Sequence, residues 1–273
     1  MNNFCIHDFE RFKMILDRTD LDFSRQVMML GKYATESHES EIFEKQLKKD
    51  HIVLDIGANI GYYSLLARSI VGSNGKIFSF EPAKENVKLI KKSIEQNKFE
   101  NIIVVEAAVS DHNGYGELFL SPYYKSEHSL FEYHYSSGEH KGKSQKIKVV
   151  TVDSFLEQLG DLTVDIIKMD VEGSEKKVLS GMKKTIEFNK KISVITEFWP
   201  QGFKNADVDS KEFLEILISS GFTLYHIDEF LQKTYQVTIK EMLKIVKERE
   251  KNPVEKTKEN QPGRWYTNIL CIK

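Results

Sequence analysis

The chain reads as a doubly wound α/β protein built on a largely parallel sheet, and three observations carry that prediction. From Asp50 onward, strand-like apolar runs alternate with helical patterns: HIVLDIG, a helix from Gly61 to about Ile70, KIFSFEP, a helix from Ala83 to about Asn97, then NIIVVEAAV. Such a βαβαβ series marks parallel strands covered by helices on both faces. After a polar interlude the alternation resumes with VDIIKMDVEG, a helix from Ser174 to about Phe188, KISVITEFWP, a helix from about Ser210 to Ser220, FTLYHID and a closing WYTNILCIK. Finally, no Pro/Gly/Ser linker divides the 273 residues, of which 40% are hydrophobic, enough for one good-sized core.

Three segments stand outside the series. Residues 1–50 look mostly helical and polar and read as an N-terminal extension or cap on a main domain of residues 51–273. Residues 115–152 read as a strand GELFL, a long loop and a strand QKIKVVTV, a hairpin-like insertion; loops of that length are usually functional or disordered. Its Tyr123–Ser144 stretch is expected over the acceptor side of the site. Residues 230–263 read as a charged helix trailing into a Lys/Glu-rich linker, a solvated surface.

Bulk properties exclude several classes. A formal charge of −2 gives no electrostatic footprint for nucleic acid, which needs clustered Lys and Arg. No apolar run is long enough to span a membrane, and the charged N-terminus lacks a signal-peptide pattern, so a cytoplasmic location is expected. Cys5 and Cys271 lack any CxxC or Cys/His spacing, so packing is their expected role.

The turn in HIVLDIGANIGYYSLLAR carries the first chemistry. A dinucleotide site calls for G-x-G-x-x-G; here the pattern is Asp55-x-Gly57-x-Asn59-x-Gly61, and a carboxylate at the strand end would repel a pyrophosphate. A ligand with a cationic group matches better. S-adenosylmethionine has an α-ammonium that Asp55 could help hold through the turn or a water, and a carboxylate for backbone N–H groups at a helix start. The plainer reading is a strand-to-helix turn with a capping Asp. Glu81, ending KIFSFEP, stands where a ribose diol could be gripped, as in NAD or adenosylmethionine sites. Ala107 and Ala108 could let an adenine lie against backbone, or simply pack.

Taken together, VLDIGANIGYYSLLA, FSFEPAKENVKLIKKSI, VVEAAVSDHNG and VDIIKMDVEGSEKKVLSGM resemble the FkbM family of class I S-adenosylmethionine-dependent methyltransferases over about residues 33–198. The resemblance implies a seven-stranded Rossmann-like methyltransferase sheet with FTLYHID and NILCIK as a terminal antiparallel pair. It also implies O-methylation of hydroxyls on sugars or other natural products, with S-adenosylmethionine as cofactor and S-adenosylhomocysteine as product. Asp55, Gly57, Asn59 and Gly61 match the family's first cofactor loop, Glu81 its ribose-binding acid, and Ala107/Ala108 the adenine edge. Residues 168–175 match its most distinctive block.

A hydroxyl is a poor nucleophile until its proton is removed or polarised. Asp170, ending the fourth main strand, stands where ligands of such sheets bind, and Glu172 and Glu197 bring two more carboxylates. Together they could serve as base or hold a divalent cation; alternatively Asp170 and Glu172 only cap the next helix, with Lys168 or Glu175 pairing locally. His128 is another candidate base, with His112, His134 and His140 competing. Tyr123, Tyr124, Phe131, Tyr133 and Tyr135 could stack on a sugar ring or pin the insertion. Three other readings compete: an RNA or protein methyltransferase, weakened by the lack of a basic patch and of an Asn/Asp-Pro-Pro-Tyr block; a non-catalytic adenosylmethionine-binding module; and an NAD oxidoreductase, which the Asn59 pattern disfavours.

Overall fold

The computed structural model describes residues 3–121, 126, 128–131, 143–251 and 265–273. The extension opens on a hairpin, β1 (Phe4–Asp8) and β2 (Lys13–Asp17), where a helix was expected, and only then becomes helical at α1 (Phe23–Leu30) and α2 (Ser37–Gln46). The reason lies in KMILD, whose last four residues are all buried, a run with no helical stripe. The free edge of β2 finds side-chain partners: the Lys13 and Ile15 N–H groups donate to Asn97 Oδ1 and Ser93 Oγ of the main domain at 2.7 and 2.9 Å.

The alternating series then follows in order: β3 (Ile52–Ile56), α3 (Tyr62–Val71), β4 (Lys76–Phe80), α4 (Lys84–Asn97) and β5 (Ile102–Val105). Next come β6 (Ala108–Val109), β7 (Gly114–Phe119) and β8 (Ser144–Val150), which form a small separate sheet with β8 in the middle. The insertion is therefore the expected hairpin of β7 and β8, joined by the short β6. The chain continues through α5 (Val152–Glu157), β9 (Ile166–Met169), α6 (Glu175–Ser180), α7 (Lys183–Phe188), β10 (Ser193–Phe198), α8 (Pro200–Asn205) and α9 (Ser210–Ser219). It closes with β11 (Thr223–Asp228), β12 (Lys233–Gln236), α10 (Ile239–Lys251) and β13 (Thr267–Ile272).

The main sheet runs β12-β11-β13-β10-β9-β3-β4-β5. Its strands from β10 to β5 are parallel, while β13 is antiparallel to both β10 and β11. These seven strands have the connectivity of the class I methyltransferase sheet; β12, antiparallel to β11, is an eighth that the charged insertion hid. The helix expected over 174–188 is split at Gly181 and Met182, and a Cβ at 181 would lie 2.0 Å from the Ser110 carbonyl oxygen, so the break is seated against the backbone after β6. No helix among the described residues is long and apolar enough to cross a membrane.

Strand alternation positions the site. Leu54, Ile56, Ile167 and Met169 share one core with Val178 and Phe213, while Val53, Ile166 and Ile195 share the other with Phe12, Met14 and Phe43 of the extension. Because side chains alternate across a strand, Asp55, Lys168 and Glu197 all face the extension. Register makes them neighbours: Asp55 pairs with Lys168 across β3 and β9, and Glu197 with Asn268 across β10 and β13. A polar band thus crosses the sheet beneath the extension.

Candidate active site

At the end of β3 the chain must turn beneath β9, and Gly57 makes that possible. Its φ is +84°, and a Cβ would lie 1.8 Å from the Asp170 carbonyl oxygen, so no other residue fits. The Gly57 and Ala58 N–H groups both donate to the Phe80 carbonyl at 3.0 Å, and the Asp170 N–H donates to Ile56 O at 3.0 Å. The turn therefore ties together the ends of β9, β3 and β4. Gly61, at φ +93°, opens α3.

Glu81 is part of the same construction. It is buried, and its carboxylate accepts the Asn59 N–H and the Ala83 N–H, both at 2.8 Å, and the Asn86 amide at 3.4 Å. Burial pushes its carboxyl up to about 8 against those donors. Asp55, also buried, accepts the Ser64 hydroxyl of the following helix at 2.5 Å, while Gly61 stands at the N-cap of that helix. Burial raises Asp55 to about 6, with Ser64 and Lys168 pulling the other way.

Two cavities flank this turn. The first, of about 540 Å³, is lined by Gly57, Asn59, Glu81, Ala108, His128 and Glu172, among others. The second, of about 390 Å³, lies towards the extension and is walled by Phe23, Tyr33, Glu36, Tyr62, Tyr63 and Asp55. Gly57, Asn59 and Asp170 line both. Ala107 is buried in the core, whereas its neighbour Ala108 is on the wall of the first cavity.

The described part of the insertion closes the first cavity. Ser126, His128 and Leu130 line it; the Ser129 hydroxyl donates to Glu172 O at 2.9 Å, and the Ser126 hydroxyl to Asp22 of the extension. His128 Nδ1 accepts the Ser121 N–H at 3.1 Å. Of the aromatic residues singled out in the sequence, Phe131 is described and has the Lys177 ammonium 4.5 Å from its ring centre; Tyr123, Tyr124, Tyr133 and Tyr135 lie outside the described residues, as do His134 and His140. His112 pairs with its neighbour Asp111.

The three candidate acids are differently placed. Asp170 is half-buried at the junction of the cavities, with Lys168 Nζ 3.7 Å from its Oδ2. Glu172, held at φ +51°, lines the first cavity. Glu197 is buried on β10 and lines neither. Among the described residues no group of three or more His, Cys, Asp or Glu is arranged to hold a metal ion, so the acids do not assemble the divalent-cation site that their spacing allowed. Glu175 acts locally, where its Oε1 accepts the Val171 and Gly173 N–H groups and fixes the turn after β9.

Lys168 is not a local partner but the hub of the polar band. Its ammonium is 2.9 Å from Glu39 Oε1 on α2, and Asn268 donates to Glu39 Oε2 at 2.5 Å. Burial would lower the Lys168 ammonium, but Glu39, Asp170 and Glu36 outweigh it and hold the group protonated. Burial raises the Glu39 carboxyl, with Lys168 opposing. Tyr33, Glu36 and Tyr266 are further residues that the motifs did not reveal. Tyr63 donates to Glu36 at 3.2 Å. Burial raises the Tyr33 hydroxyl, and then Glu36, Tyr266, Asp22 and Asp170 raise it further; Tyr266 is raised by burial and by Glu36, Glu197, Asp170 and Asp22. The one sequence signal available was the aromatic and acidic content of YATE and RWYT.

A family model described as the methyltransferase FkbM domain matches residues 55–237, well over half of the chain. The chain belongs to the FkbM methyltransferase family. Among curated relatives, "Probable cobalt-precorrin-6B C(15)-methyltransferase (decarboxylating)" of Sulfurisphaera tokodaii is 36% identical over 53 residues, 19% of this FkbM chain and 28% of the relative. Among solved structures, a methyltransferase FkbM of Methylobacillus flagellatus is 15% identical with a TM-score of 0.46, covering 84% of this chain and 44% of that one. A precorrin-6y C5,15-methyltransferase of Geobacter metallireducens is 15% identical with a TM-score of 0.45, covering 88% and 90%. The chain thus spans less than half the length of the first relative in each comparison.

FkbM proteins are S-adenosylmethionine-dependent, and the residues present fit that cofactor. The Gly57 turn leaves no side chain to bar approach to the first cavity, and Glu81 and Ala108 line it.

Proposed function

We propose that this FkbM protein transfers a methyl group from S-adenosylmethionine to a hydroxyl of a sugar, glycan or other small natural product, with Asp170 as general base. The observation that carries the reading is that, among the described residues, Asp170 is the one carboxylate lining both cavities. In this reading Glu81 holds the ribose, Ala108 and the backbone at Ala107 border the adenine, and Gly57, Asn59 and Gly61 let the methionyl end approach the start of α3. Asp55 acts on the ammonium through the turn or a water. When bound, the cofactor supplies an electrophilic methyl on a sulfonium.

The chain's own residues do the rest. The aromatic cavity of Tyr33, Tyr62 and Phe23 offers flat apolar walls to a ring, and Glu36 accepts its hydroxyl protons. Asp170 takes the proton of the reacting hydroxyl while Lys168 keeps the carboxylate aimed. Glu172 lines the first cavity, whereas Glu197 lines neither cavity. A mass-shift screen of the full chain with adenosylmethionine against hydroxylated acceptors, sugars included, tests this. A gain of one methyl on a hydroxyl that Asp170→Asn abolishes supports it; transfer to carbon or nitrogen overturns it.

A further inference from the structure

A third cavity, of about 560 Å³, lies beyond the aromatic one and takes no part in the scheme above. Its walls include Phe230, Trp265, Tyr266, Arg249, Asp228 and Thr35. Phe230, on its wall, is 70% exposed and open to a ligand. The Arg249 guanidinium sits 5.5 Å from its ring centre and 3.8 Å from Asp228 Oδ2.

Two connections run from this cavity to the reacting centre. Thr35 lines the third cavity while the next residue, Glu36, lines the second. Tyr266, on the third cavity's wall, is close enough to Glu36 and Asp170 for their charges to raise its hydroxyl, and it raises that of Tyr33 in turn. A ligand longer than one ring, with one end at Asp170, would pass Tyr266 and enter the third cavity.

The lining chooses among ligand classes. A lipid chain would lay hydrocarbon on the polar wall of Thr35 and Arg249, and a polyphosphate would meet Asp228 beside the arginine. A sugar ring fits both features: its C–H face rests on an aromatic ring, and each hydroxyl both donates and accepts, which a carboxylate beside a guanidinium satisfies. We infer that the third cavity is a distal sugar subsite, so that the acceptor is a glycoside of at least two rings with the outer ring on the wall of Phe230 and Trp265. This rests on the hydroxyl-methylating reading above.

The test uses the full chain with adenosylhomocysteine on an array of immobilised mono-, di- and trisaccharides, with Phe230→Ala, whose exposed position keeps the fold intact, as the variant. Di- or trisaccharides should retain the protein at least about tenfold better than their single rings, and Phe230→Ala should lose about that factor while adenosylhomocysteine affinity by calorimetry stays unchanged. Equal retention of one and two rings, no retention of any glycan, or retention indifferent to Phe230→Ala would each overturn the subsite. A blank array alongside methylation of a non-sugar hydroxyl sinks only the subsite, whereas glycan capture without methylation of any hydroxyl sinks only the proposed reaction.

Discussion

The two cavities that meet at Asp170 differ in what builds them. The first centres on strand ends close in sequence, the Gly57 turn, the end of β4 at Glu81 and the short strand at Ala108, with the insertion and the turn after β9 closing it. The second is made of side chains from remote stretches, with Phe23, Tyr33 and Glu36 coming from the extension and Lys168 from β9. A cofactor shared by a whole family needs a backbone-defined cradle that tolerates change in side chains. An acceptor pocket built on side chains can change with its substrate, and here it depends on the extension staying docked.

That dependence can be broken at several points. The largest effect is expected at the junction itself: Asp170→Asn should lower turnover by about 10²–10⁴ while adenosylhomocysteine affinity, read by calorimetry, stays near wild type. Loss of affinity in proportion to turnover would place Asp170 in the first cavity only. Next in size is the tie between extension and sheet. Glu39→Ala strands the buried Lys168 ammonium and should cost about 3–5 kcal/mol in urea unfolding, whereas the apolar pair Lys168→Met with Glu39→Leu should recover most of that.

A smaller change sharpens the other side. Asp55→Ala should weaken adenosylhomocysteine binding by about 1.5–3 kcal/mol, the range for a lost charge-assisted hydrogen bond. Unchanged affinity in a folded variant would leave Asp55 with only its Ser64 contact. The smallest effect is on pH. Glu81 is raised to about 8, so the native state keeps a proton that the unfolded chain has released above its ordinary range. Its stabilisation is complete below about pH 4 and is lost as pH rises through 8. Between pH 7 and 8 the protein should lose about 1 kcal/mol of stability in urea melts, and Glu81→Gln should flatten that slope.

The same contrast explains what was legible. The Asp55-x-Gly57-x-Asn59-x-Gly61 turn and the strand end at Glu81 were readable because positive-φ positions and strand ends are local properties of a few residues, whereas the seven-stranded sheet with its terminal antiparallel pair was implied by the family resemblance. The β1–β2 hairpin was not, because β2 gains its edge partners from Ser93 and Asn97, some eighty residues on. Lys168 read as a local partner because its true one, Glu39, lies across 129 positions of sequence on a different element. Tyr33, Glu36 and Tyr266 follow the same rule: nothing in YATE or RWYT says that folding will bring them together. The charged insertion hid β12 because its strand, KTYQ, is mostly exposed and carries no apolar alternation.

The central claim is that a cofactor in the first cavity presents its reacting end to the second across Asp170. A crystal structure of the full chain with S-adenosylhomocysteine tests it most directly. The account predicts adenine beside Ala108, the ribose hydroxyls on Glu81, and the thioether sulfur facing the cavity of Tyr33 and Glu36 within reach of Asp170. A ligand seated wholly in the aromatic cavity, or one whose sulfur faces Ala108 and turns away from Asp170, would contradict it.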